Sequence, residues 1–350
     1  MAGVVPGAAP VSPPRARAGP ARGVLRERAD VTMADTGGPV PERLVDLLDL
    51  ERIEVNIFRG RSPDESLQRV FGGQVAGQAL VAAGRTVDTG RPVHSLHAYF
   101  LRPGRPGVPI VYEVERVRDG RSFSTRRVTA VQQGRTIFAL TASFHVPEEG
   151  AFAHQLPPTG PGPLVDPESL PRLADEVRAH LGGVPVELER MARRQPFDIR
   201  YVNRLRWTPE ETAGAEPRSA VWMRAVTPLG DDPLVHTCAL AYVSDTTLLD
   251  AVRLPVEPLW GDRLLDLASL DHAMWFHRPF RADEWLLYEQ ESPVATGGLG
   301  LARGRIYDRA GALLVSVVQE GLFRPRGGIQ VRTGETPHEQ DGETPQKQRG

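Results

Sequence analysis

The spacing of apolar residues changes several times between positions 42 and 146, and each change marks an element. Leu44, Leu47, Leu48 and Leu50 lie on one helical stripe within Glu42–Leu50. Ile53, Val55 and Ile57 then alternate with polar neighbours, which predicts a strand over 52–58. Phe71-Gly72-Gly73-Gln74 opens a helix that continues through Val75, Ala76, Gly77, Ala79, Leu80, Val81, Ala82 and Ala83. Nearly all of these residues are small or apolar, so the helix is expected to be buried on most sides. Four strand-like segments follow, over 94–101, 109–117, 122–132 and 136–146. The turn signals Arg102-Pro103-Gly104, Asp119-Gly120 and Gln133-Gly134 separate them, the last two standing where tight hairpins form.

One long buried helix followed by antiparallel strands is an α+β pattern: a curved sheet wrapped around a central helix, which is the hotdog fold. The small residues of the helix are expected to let the sheet close on it. The second half repeats the first. His97-Ala98-Tyr99-Phe100-Leu101-Arg102-Pro103 has a counterpart in His272-Ala273-Met274-Trp275-Phe276-His277-Arg278-Pro279. The hairpin glycines Gly134 and Gly311 correspond in the same way. A second helix candidate, Leu234 to Val252, matches the first at a smaller offset, so the helix-to-strand connection is longer here. A repeat of this length is a duplicated domain rather than a solenoid unit. The expected architecture is therefore a double hotdog: a leader over 1–40, a first domain over 41–147, and a linker with a helix over 148–198. A second domain over 199–325 and a tail over 326–350 complete it.

Composition narrows the classes. The chain has 350 residues, enough for two ordinary domains, and its net charge of −2 gives no footprint for nucleic acid. Cys238 is the only cysteine, which excludes an intrachain disulfide and fits a reducing compartment such as the cytoplasm. No apolar run reaches the length of a membrane-spanning helix. Residues 1–40 are rich in Pro, Gly, Ala and Arg, and the last 25 or so in Gly, Gln and Glu; neither composition supports a packed core. The leader reads as disordered, or as an extended start with Met33 as the true beginning.

Several familiar catalytic signatures are missing. There is no Gly-x-Ser-x-Gly elbow, and Gly297-Gly298-Leu299-Gly300 lacks the third glycine of a dinucleotide fingerprint and reads as a loop. His272 and His277 stand five apart, so on a strand they face opposite ways, and neither a metal nor a cofactor is called for. Cys238 reads as a small helix-core residue, and Trp275 and Phe276 as core. Three polar residues of the second half stand out. Asp245 ends Ala241-Tyr242-Val243-Ser244-Asp245 in an apolar helix, where a carboxylate is costly to bury. Ser269 opens the segment leading to Arg278-Pro279, and Gln319 follows the apolar run Leu313–Val318, where the first half has Ala142. Each has a plainer reading: Asp245 capping a helix break, Ser269 capping a strand, Gln319 facing solvent by alternation.

Over nearly all of residues 43–325 the chain resembles the acyl-CoA thioesterase II family, the TesB-like double-hotdog thioesterases. The resemblance rests on Phe58-Arg59-Gly60, on Val70 to Leu80, and on His94 to Gly104 in the first half. In the second half it rests on Tyr242 to Asp245, Asp271 to Phe280, and Val318-Gln319-Glu320-Gly321. It implies that Asp245, Ser269 and Gln319 hold a nucleophilic water, with Ser269 standing where some members have Thr. It also implies a fatty acyl-CoA substrate, no cofactor and a homo-oligomeric assembly. Gly72, Gly73 and Gln74 at the helix start, together with His272, are carried as candidate substrate contacts. The alternatives are a non-catalytic acyl-CoA-binding hotdog protein and a hotdog enoyl-CoA hydratase. The hydratase needs an Asp-His pair on the helix and its following loop, and no histidine follows Asp245 there.

Overall fold

The first half begins with a short helix, α1 (Leu44–Leu48), and a hairpin of β1 (Glu51–Glu54) and β2 (Ile57–Gly60). Helix α2 (Gly72–Gly84) follows, then β3 (Val93–Phe100), β4 (Ile110–Asp119), β5 (Phe123–Gln132) and β6 (Arg135–His145). A connection carrying α3 (Leu173–Leu181) leads to β7 (Phe197–Tyr201), α4 (Pro209–Thr212) and β8 (Arg218–Ala225). Next come α5 (Pro233–Thr247), α6 (Asp250–Arg253), β9 (Leu265–Ser269) and β10 (Asp271–Phe276). The last three strands are β11 (Leu286–Thr296), β12 (Leu299–Tyr307) and β13 (Leu313–Pro325). This computed structural model describes residues 43–63, 69–150, 152–160, 162, 165–181, 195–212, 214–257 and 265–326. The expected leader, the tail beyond Arg326 and positions 182–194 of the expected linker helix lie outside the described residues.

The thirteen strands form one antiparallel sheet in the order β1-β2-β4-β5-β6-β3-β10-β13-β12-β11-β8-β7, with β9 also pairing β13. The halves meet where β3 lies against β10, Leu96 opposite Met274 and Tyr99 opposite Asp271. Outward from that seam, β6, β5, β4 and β2 on one side correspond to β13, β12, β11 and β8 on the other. Each half contributes one long helix to the core, so the double hotdog expected from the repeat is the fold observed.

The two long helices pack against each other in opposite directions. A Cβ on Gly77 would lie 3.0 Å from the Cys238 carbonyl oxygen, one on Gly84 would meet the Leu234 side chain at 2.6 Å, and one on Gly73 would run into the Tyr242 carbonyl oxygen. The glycines of α2 therefore admit α5, and the expectation that its small residues serve its own sheet is corrected for Gly73, Gly77 and Gly84. The glutamine midway along α2 is satisfied on the other side. Gln78 donates to the carbonyls of Leu47 (2.7 Å) and Arg61 (3.0 Å) and accepts from Tyr112 (2.7 Å), as a buried carboxamide must.

Four further expectations are corrected. The single strand over 52–58 is a hairpin: Glu54 pairs with Ile57 across the two-residue turn Val55-Asn56, and Ile53 and Val55 are exposed. The helix expected to reach Val252 breaks at Leu248-Leu249, and the Leu249 side chain lies over Gly321, where a Cβ would come within 2.7 Å of it. Gly297-Gly298, with φ of 60° and 80°, is the tight turn of the β11–β12 hairpin, so the loop reading holds there and is corrected only at Leu299 and Gly300, which are already in β12. Trp275 is not core: it is half-buried and meets His97 edge-on at 5.2 Å. Cys238 is buried in α5, as expected.

Candidate active site

Three segments bring their polar residues to one point. Asp245 occupies the last turn of α5, Ser269 ends β9, and Gln319 lies midway along β13. Pairing of β9 with β13 sets Ser269 opposite Gly321, two residues from Gln319 on the same strand. The Asp245 Oδ1 oxygen accepts from the Gln319 Nε2 at 2.6 Å and from the Ser269 hydroxyl at 3.1 Å. Gln319 is fully buried, so the solvent-facing reading of that side chain does not hold. Ser269 is half-buried and remains within reach of solvent.

A third donor to the carboxylate comes from the first half of the chain. The C-terminal turn of a helix disfavours an anion, whereas the N-terminus of a helix favours one. Because α2 and α5 run oppositely, the last turn of α5 meets the first turn of α2. The Gly73 backbone N–H donates to the Asp245 carboxylate, and a Cβ on Gly72 would lie 2.6 Å from Asp245 Oδ2. Only a residue without a side chain lets the backbone approach this closely. Asp245 is half-buried as a residue, yet its carboxyl group is surrounded by protein. Desolvation raises its pKa from the ordinary 3.8 to about 6, against the opposing pull of Gln319, Ser269, the Gly73 N–H and the nearby Arg69.

The remaining candidates divide. Gly72 and Gly73 stand at the carboxylate, as described. Gln74 is buried and turned elsewhere, donating to the Arg61 carbonyl at 3.1 Å. His272 is fully buried, with Nε2 2.8 Å from the Ser244 hydroxyl, so it has no surface to offer a substrate directly. His277 lies outside, bonded to Ser316 at 2.8 Å. Sequence reasoning missed Arg69, an exposed residue that donates to the Leu267 carbonyl at 2.6 Å and biases Asp245 electrostatically. It also missed Ser244, whose only signal was its place beside Asp245. In the first half the corresponding inward pair across β3 and β6 is Leu96 and Ala142, both fully buried and apolar.

Comparison with known proteins gives matches along both halves. A family model described as "Acyl-CoA thioesterase" matches residues 191–322, and one described as "Acyl-CoA thioesterase N-terminal domain" matches residues 61–145. Acyl-coenzyme A thioesterase 8 of Rattus norvegicus is 42% identical over 310 residues, covering 85% of this chain and 94% of its own. Acyl-CoA thioesterase 2 of Haemophilus influenzae is 40% identical over 290 residues, covering 80% and 96%. Among solved structures, the acyl-CoA thioesterase II TesB2 from Mycobacterium marinum superposes with a TM-score of 0.65 at 45% identity, covering 82% of this chain and 99% of that one.

Proposed function

The chain belongs to the acyl-CoA thioesterase family and hydrolyses acyl-CoA thioesters, and on that premise we propose that Asp245, Ser269 and Gln319 hold and activate the attacking water. The observation that carries this reading is the convergence of Ser269 and Gln319 on one oxygen of a carboxylate whose pKa is lifted towards neutrality. A thioester carbonyl is reactive enough that water needs only orientation and removal of a proton. The Asp245 carboxylate accepts that proton as the water oxygen bonds to the carbonyl carbon. The second Nε2 hydrogen of Gln319 and the Ser269 hydroxyl fix the water's position. The carbon–sulfur bond then breaks, and the proton held by Asp245 neutralises the departing coenzyme A thiolate. The products are a free carboxylic acid and coenzyme A. General-base assistance of this kind contributes about 10²–10⁴-fold, and positioning adds to it.

A covalent route is less well supported. Ser244 and His272 are at the separation of a nucleophile and its base, but both are fully buried. Ser269 is reachable but bonds a carboxylate, and among the described residues no imidazole bonds it. As to setting, the lone buried Cys238 suits a reducing compartment, and among the described residues no helix is long and apolar enough to cross a membrane. We take the cytoplasm as the site of action and a homo-oligomer as the working form, since hotdog sheets tend to associate.

The pH dependence tests the assignment. A base must be ionised to act, so kcat/KM for a saturated acyl-CoA should rise with pH through a single limb near 6, the value to which burial lifts Asp245. A flat profile from pH 5 to 8 would remove Asp245 as the base.

A further inference from the structure

We propose that His272 is a positioning residue for this reaction, holding the Gln319 carboxamide so that its nitrogen, and not its oxygen, faces Asp245. The inference rests on the roles given above to Asp245 and Gln319 and deepens them. Strands β10 and β13 pair with Met274 opposite Val317 and Ala273 opposite Val318. One step further along the same ladder, His272 and Gln319 come side by side, both turned inward and both fully buried. Two of their atoms, His272 Nδ1 and Gln319 Oε1, have no hydrogen-bond partner, and one can donate while the other can only accept. The Gln319 side chain is close enough to favour the protonated imidazole, although the pair does not close to full hydrogen-bond geometry.

The proton positions follow from what each group can do. An ionised carboxylate only accepts, so Gln319 must present Nε2 to Asp245, which turns Oε1 towards His272. An oxygen there needs a donor, and Nδ1–H supplies it. A neutral imidazole protonated at Nδ1 has Nε2 free to accept, and the Ser244 hydroxyl is 2.8 Å away. The single Ser244 proton then goes to His272 in preference to the Ala241 carbonyl at 3.1 Å. Desolvation holds the His272 pKa down at about 4, so the ring stays neutral where the enzyme works. The groups that bear on the arrangement are Ser244 from α5 and Gln319 from β13 beside the ring, with the Met274 sulfur of β10 beside the Ser244 hydroxyl. Around the carboxylate they are Arg69, Ser269, the Gly73 N–H and Tyr288 on β11. The first half shows that the sheet does not need an imidazole for packing, because Leu96 and Ala142 fill the corresponding places.

Three substitutions separate positioning from packing. His272→Leu removes the donor, His272→Asn keeps an N–H near the Nδ1 position, and His272→Gln carries its amide out to the Nε2 position. With the donor gone, Gln319 can turn its oxygen towards the carboxylate, which disfavours ionisation and misplaces the water. His272→Leu and His272→Gln should lose about 10–100-fold in kcat, the scale of a misplaced reacting group, with KM little changed. Their acidic limb should also move to higher pH. His272→Asn should recover most of the rate and restore the limb. The inference is overturned if folded His272→Leu keeps the wild-type rate and limb, or if His272→Asn is no better than His272→Gln. Should His272→Leu fail to fold, the Asn–Gln contrast decides alone. Failure of the underlying reading looks different, because Asp245→Asn would then remain active.

Discussion

Asp245→Asn should lower kcat by two or more orders of magnitude while leaving the fold in place. The carboxamide has the shape of the carboxylate and still offers one oxygen to the Ser269 hydroxyl and the Gln319 Nε2. What it lacks is the capacity to take a proton from water, a loss of about 10²–10⁴-fold. Stability should move in the other direction. The folded pKa of about 6 is above the ordinary 3.8, so the folded state binds the proton more tightly than the unfolded chain. That contribution is fully present at acidic pH and is lost as pH climbs from about 4 through 6. The Asn variant has no charge to bury, so its melting temperature relative to wild type should rise between pH 5 and pH 8. Near-normal turnover in this variant would sink the mechanism, and a variant that melts far below wild type at pH 8 would mean the carboxylate is structural.

The second large effect is expected at the contact of the two helices. In Gly73→Ala the new methyl would meet the Tyr242 backbone carbonyl and, at 2.6 Å, the Phe71 ring. A backbone atom inside a helix cannot swing aside, so α2 and α5 must part. Overpacking of this kind costs about 1–3 kcal/mol and should lower the melting temperature measurably. Parting the helices also draws the Gly73 N–H away from Asp245, so kcat should fall along with stability. Gly77→Ala is the graded control: its methyl would lie 3.0 Å from the Cys238 carbonyl oxygen, and it should be milder in both readouts. Equal melting temperatures for wild type and Gly73→Ala would show that the close approach is not needed.

Local signals in the sequence carried the strands well and the helix contact poorly. Gln133-Gly134 marked its hairpin because both residues take positive φ, 49° and 73°, a need that shows in residue type. The alternation of Ile53, Val55 and Ile57 misled because apolar residues on a small exposed hairpin follow the same period as a half-buried strand. Trp275 was misplaced for a related reason: a large aromatic side chain does not report which face of a sheet it occupies. The glycines of α2 looked like an adaptation to its own sheet, since the helix they meet is about 160 residues later in the chain. The site itself was legible only through resemblance. Asp245, Ser269 and Gln319 each had an ordinary reading, and their convergence depends on strand register and on the antiparallel packing of two helices. The Gly73 donor and the burial of His272 against Ser244 and Gln319 are products of the same tertiary arrangement.

The claim that Asp245, Ser269 and Gln319 act on a single water is tested most directly by combining substitutions. The measurement is kcat/KM for one acyl-CoA with Asp245→Asn, Gln319→Ala and the double variant, all at pH 8. Residues that serve one proton transfer are not additive, because removing the base leaves nothing for the carboxamide to orient. The double variant should therefore fall within about threefold of Asp245→Asn alone. A double variant whose loss is the product of the two single losses would show that Gln319 and Asp245 act independently, and would contradict the account.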